Sequence, residues 1–162
     1  AEMLDTLGLD YIEGGWPGAN PTDSAFFDAA PQTRARMTAF GMTKRAGRSA
    51  ENDEVLAAVL NAGTKSVCLV GKTHVFHVET ALGITLKENL DNIARSVAHL
   101  VAQGREALFD AEHFFDGYKA DPAYAASLRW RPSRNSAAPA APRSAGRYPR
   151  PRYGAGPRAD VR

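Results

Sequence analysis

The chain has 162 residues, enough for one ordinary domain with a core of its own. Its net charge of +2 hides two unlike stretches: residues 1 to 128 carry 11 Lys and Arg against 17 Asp and Glu, whereas residues 129 to 162 carry nine Arg, no Lys and one Asp. A single cysteine, Cys68, excludes an internal disulfide, and no apolar run reaches the ~18 residues of a membrane span, so the default setting is reducing and cytoplasmic.

The first word, "AEMLDTLGLD", has no initiating Met and reads as the inside of a helix, so the natural chain is expected to extend upstream. Four short apolar runs follow, each trailed by turn residues and a helical pattern. They are "LDYIEGG", "RMTAFGM", "SVCLVGK" and "EALFDAEHF", beginning at Leu9, Arg36, Ser66 and Glu106. Spacings of roughly 30 to 40 residues suit strand–helix units. The almost wholly apolar "SVCLVG" suits a parallel strand covered on both faces.

Between the runs, "TDSAFFDAA" predicts a short helix started by Thr22. "SAENDEVLAAVLNAG" predicts a second, capped by Ser49 or Asn52, with Val55, Leu56, Val59 and Leu60 inward and Gly63 as its end. "HVFHVETALG" predicts a helical turn or two. "TLKENLDNIARSVAHLVAQG" is the clearest helix: Thr85 and Glu88 form a capping box, Leu86, Leu90, Ile93, Val97, Leu100 and Val101 form an apolar stripe, and Gly104 stops it. Strands alternating with helices, without hairpin signals, predict a parallel sheet.

The last stretch, residues 129 to 162, is rich in Arg, Pro and Ala and holds almost no large aliphatic side chain. Such a composition does not bury enough apolar surface to offset ordering, so a disordered tail is expected. Its arginines with Trp130, Tyr148 and Tyr153 have the chemistry of phosphate contact and base stacking, which keeps nucleic-acid binding as a second class of function.

No G-x-G-x-x-G word follows any strand, so the dinucleotide fingerprint is absent. Polar residues instead recur at strand ends: Glu13, then Thr43 and Lys44, then Lys72, then Glu112 and His113. Active-site groups of a (β/α)8 barrel come from such ends. Each also has a plainer reading. Glu112 is otherwise a solvated strand-end charge, Glu13 a loop-capping carboxylate, and Lys72 and His77 helix-end caps. His74 and His77, three apart, lack a third ligand at suitable spacing for a metal site. His99 reads as structural, and Phe114, Phe115 and Tyr118 as packing residues. Gly14, Gly15 and Gly18 most simply allow a tight loop.

The words "DYIEGGWPGANPTD", "TAFGMTKRAGRSAENDE", "SVCLVGK" and "FDAEHFFDGYKADPAYA", in that order, resemble the (R)-citramalate synthase branch of the 2-isopropylmalate synthase and homocitrate synthase family. The resemblance runs from residue 1 to about 128. It implies a partial (β/α)8 TIM barrel of about four βα units, strands two to five, that condenses acetyl-CoA with a 2-oxo acid, pyruvate in this branch, on the route to isoleucine. It implies a divalent metal (Mg, Mn or Zn), a cytoplasmic homodimer, catalytic roles for Glu112 and Glu13, and substrate contacts from Lys72, His77 and His113. His113 stands where the wider family most often has Asp. The family's D-x-T-L-R-D-G word and its late H-x-H pair, which supply metal ligands, do not occur here. The expectation is therefore a truncated fragment, inactive as a synthase by itself, with residues 129 to 162 written in a shifted reading frame. A related 2-isopropylmalate or homocitrate synthase, or a non-catalytic remnant that pairs with another chain or whose tail binds nucleic acid, stands as the alternative.

Overall fold

A computed structural model describes residues 1–29 and 32–128. The expectations for residues 129 to 162, disorder, nucleic-acid binding and a shifted frame, fall outside the described residues.

Four strands form one sheet: β1 (Tyr11–Gly15), β2 (Arg36–Met42), β3 (Ser66–Lys72) and β4 (Glu106–Glu112), in the spatial order of the chain. Every neighbouring pair is parallel. All four strands therefore point their C-terminal ends the same way. Helix α1 (Glu2–Asp5) precedes them, and α2 (Pro21–Asp28), α3 (Glu54–Asn61), α4 (Leu86–Ala102), α5 (Phe114–Ala120) and α6 (Pro122–Ser127) separate or follow them. A doubly wound sheet reverses its order at a switch point, and this one does not. Unreversed order is that of successive units in a (β/α)8 wall.

Curvature supports the same assignment. Tyr11 on β1 and Glu106 on β4 are separated by two intervening strands. Its hydroxyl nevertheless donates to Glu106 Oε1 at 2.8 Å, and Arg36 Nη1 donates to Oε2 at 2.6 Å. A flat sheet would set β1 and β4 about 14 Å apart. Two side chains meet over that span only if the sheet bends toward them.

Residues alternate across this wall. One face carries Ala39, Val67 and Leu69, which pack with Phe27 of α2, Leu56 and Val59 of α3 and Leu100 of α4. Burying these side chains is worth about 1.5–3 kcal/mol for each large one. The opposite, concave face carries Tyr11, Glu13, Thr38, Cys68, Asp110, Lys72 and Glu112. At Gly71 the helix face is so crowded that an added Cβ would lie 2.7 Å from the Phe109 ring.

Helix starts differ in detail from the sequence expectation. Asn20 caps α2, with Pro21 as the first helical residue rather than Thr22. Asp53 caps α3, accepting from Val55 N and Leu56 N, while Ser49 only precedes a single 3-10 turn (Ala50–Asn52). The Asp53 carboxylate, immediately before the first helical residue, outcompetes the Ser49 and Asn52 side chains. Thr85 caps α4 as expected, accepting from Glu88 N. The stripe of α4 is more polar than expected: Asn89, Asn92 and Ser96 are buried with Ile93, Val97 and Leu100, while Val101 is exposed. The turn expected after β3 is a π-helix, His77–Leu82, ended by Gly83 in the left-handed region at φ 64°.

Candidate active site at the C-terminal edge

The "EGG" that ends β1 explains itself locally. The β1–β2 register slips between Glu13 and Gly15, a bulge that turns the strand away. Gly15 adopts φ 126°, where a side chain is strained and would also meet the Asp23 carboxylate. Asp23 Oδ2 then accepts from Trp16 N at 2.8 Å, fixing the Trp-Pro corner.

Glu13 consequently does not reach the rim expected for it. It pairs with Thr38 midway along the concave face. Its carboxyl is pushed up, first by desolvation in the curve of the sheet and then by the charge of Asp110. Cys68 shares this layer: burial, then the charges of Glu13 and Asp110, push its thiol up to about 11. Two carboxylates and a suppressed thiol thus form an acidic layer below the rim.

At the rim, β3 and β4 end in register at Lys72 and Glu112, and their side chains form an ion pair. Thr73 N donates to Glu112 O at 3.2 Å, and the Thr73 hydroxyl donates to the same carbonyl. His113 follows in the left-handed region at φ 58°, a conformation a non-glycine residue rarely holds. Its ring meets His77 edge-on at 4.7 Å between centroids, and His77 lies 5.1 Å from His74. The His74 ring accepts from Phe76 N through Nδ1. Among the described residues no group of three or more His, Cys, Asp or Glu side chains is placed to hold a metal ion.

A cavity of about 490 Å³ opens beside this edge, lined in part by Trp16, Met42, Arg45, Lys72, Leu82 and Asn89. It combines an apolar wall with the side chains of Arg45 and of Lys72, the latter already paired with Glu112. Lys44 also lines it but is not a free charge. It is buried, and its ammonium donates to Asn92 Oδ1 at 2.5 Å and to Arg48 O at 2.9 Å.

The structure thus brings Lys72 to Glu112 and His77 to His113, and leaves Glu13 a layer below. His99 is largely buried in α4, with Nδ1 4.0 Å from Glu51. Phe114 packs against Phe115 and Tyr118, but Phe115 itself is 80% exposed, contrary to a packing role. The sequence reading missed Asp110, Arg45, Asn89 and Asn92. The two asparagines left a visible trace: polar residues three apart on the apolar side of an amphipathic helix.

No family model matches the chain. Among curated proteins it is 51% identical over 132 residues, 79% of its length, to the (R)-citramalate synthase of Streptomyces coelicolor. It is 47% identical over 128 residues to that of Synechocystis. A 2-isopropylmalate synthase of Solidesulfovibrio magneticus is 29% identical over 124 residues. The chain spans about a quarter of the length of each of these relatives.

Proposed function

We propose that this chain, by sequence a relative of the (R)-citramalate synthases, forms part of the barrel wall of an acyltransferase that condenses acetyl-CoA with pyruvate. The carrying observation is the Lys72–Glu112 pair at the C-terminal edge of four parallel strands, beside a cavity lined by cationic and apolar groups. In such a condensation a base takes a proton from the acetyl methyl group. The enolate carbon then attacks the keto carbon of the acceptor, and hydrolysis of the thioester releases the thiol.

Glu112 is the base in this reading. A carboxylate takes that role when it is partly desolvated and held in place. Lys72 lies beside it and offers a positive charge to the oxygen that becomes anionic. Arg45 attracts the carboxylate of the acceptor into the cavity, while Met42 and Leu82 cover its apolar end. Glu13 and Asp110 keep the layer beneath negative, which favours a cation near them. His77 and His113 border the mouth and contact the bound substrates. A divalent cation would polarise the keto oxygen. The described residues do not form a ligand set for one. The enzyme in this reading works in the cytoplasm as a homodimer and feeds isoleucine synthesis.

The test is a chimaera in which residues 1–128 replace the matching segment of the Streptomyces coelicolor enzyme. The expected result is thiol release with acetyl-CoA and pyruvate, greater than with 2-oxoisovalerate or 2-oxoglutarate. Glu112→Gln in that chimaera is expected to cost about 100-fold or more in kcat. A folded chimaera with no turnover, or one unaffected by Glu112→Gln, refutes the assignment. Preference for 2-oxoisovalerate would favour a 2-isopropylmalate synthase. The chain by itself, lacking a metal ligand set among its described residues, is expected to release no thiol.

A further inference from the structure

We propose that Asn89 is a positioning residue, which holds the end of β3 so that Lys72 faces Glu112. Asn89 is 1% exposed and lies on the first turn of α4. Its Nδ2 donates to Lys72 O at 2.8 Å and to Tyr124 Oη at 2.7 Å. Both hydrogens of one buried amide are thereby used, one on the last residue of β3 and one on α6.

A buried amide is costly unless fully bonded, and an apolar residue would serve the core of an amphipathic helix better. Yet α4 buries three polar side chains on this side, and each serves a lysine at or just past the end of a strand. Asn89 binds the Lys72 carbonyl, Asn92 binds the Lys44 ammonium, and Ser96 Oγ accepts from Lys44 N at 2.8 Å. The polar stripe is thus matched to the strand ends, not scattered along the helix. Thr73, the next residue in the chain, binds the Glu112 carbonyl. Gly117 of α5 sits against Thr73 so closely that a Cβ there would lie 2.5 Å from its carbonyl oxygen. The Lys72–Thr73 peptide therefore carries both contacts: Asn89 holds its carbonyl, and its N–H, with the Thr73 hydroxyl, binds Glu112 O. Asn89 thus fixes the peptide through which the end of β3 is joined to the end of β4.

This inference rests on reading Lys72 and Glu112 as the reacting pair, and its test needs no turnover. In the full chain, NMR is expected to show slow hydrogen exchange at the Asn89 side-chain amide compared with exposed Asn20 and Asn61. Asn89→Leu is expected to shift the Lys72 carbonyl carbon resonance. It is also expected to raise acylation of Lys72 by an amine reagent about threefold or more relative to Lys65 and Lys87. Tyr124→Phe keeps the Asn89–Lys72 bond and is expected to change that ratio less than twofold. If Asn89→Leu does not fold, Asn89→Asp removes the donor at nearly constant volume and replaces it. Fast exchange of the wild-type amide overturns the proposal. So does an unchanged Lys72 in the variant, or an equal effect of Tyr124→Phe. If these results hold while the chimaera is folded and inert, the assignment of function fails and the anchoring stands.

Discussion

Removing the Asp53 carboxylate tests how the loop after β2 is held. Asp53 is 1% exposed and accepts three backbone N–H groups: Val55 and Leu56 through Oδ1 at 3.0 and 3.1 Å, and Arg45 through Oδ2 at 2.8 Å. Two of these bonds cap α3, and the third ties down the loop that carries Arg45 into the cavity. Loss of a cap costs about 1–2 kcal/mol, and an orphaned buried amide adds about 1 kcal/mol or more. Asp53→Ala should therefore destabilise the chain by about 2–3 kcal/mol. Asp53→Asn keeps Oδ1 as the cap but turns an NH₂ toward Arg45 N, so about 1–2 kcal/mol is expected. Urea unfolding followed by fluorescence measures both. With a slope near 1.5 kcal/mol/M, Asp53→Ala should lower the midpoint by roughly 1.5 M without changing the slope. A loss under about 1 kcal/mol, or equal losses in the two variants, would refute the three-bond account.

Gly71→Ala places a methyl 2.7 Å from the Phe109 ring and 3.3 Å from Ile93. It should cost about 1–3 kcal/mol in the same urea assay. Glu13 has a carboxyl raised in the folded chain, so the folded state holds more protons than the unfolded one between the two values. Stability attributable to this residue thus falls as pH rises through that window. Glu13→Gln should be more stable than the parent at pH 7 and indistinguishable from it at pH 3, by thermal melts. The gain should stay below about 0.5 kcal/mol, since the side chain is exposed and screened. Cys68, with its thiol near 11, should react with iodoacetamide slowly at pH 7.5, with a rate that keeps climbing to pH 10. A plateau near pH 8.5 would contradict the burial and charge assigned to it.

The parallel strands were legible because each apolar run was short, bounded by Gly or Pro, and followed by a periodic helix. The rim residues Lys72 and Glu112 were legible for the same reason, as polar residues ending apolar runs. Glu13 looked equivalent, yet it lies lower because the bulge at Gly15 uses up the end of β1, and bulges leave little trace in residue order. Asp110 was hidden by alternation alone: it reads as an ordinary outward residue until the sheet curves Glu13 toward it. Asn89 and Asn92 are not marked as functional by residue order, because the carbonyl and ammonium they bond lie on other elements. Asp53 lost to Ser49 and Asn52 because several capping side chains stood in a row, and only the fold decides which one meets free N–H groups.

The Tyr11–Glu106–Arg36 tie described for the fold works like a string across a bow. It joins β1, β2 and β4 at the edge opposite Lys72 and Glu112. The bonds cross the concave face from the first strand to the fourth, over strands already joined by their backbone ladders. Tyr11→Phe would leave Arg36 joining β2 to β4 and release only β1 from its side-chain link to the far strand.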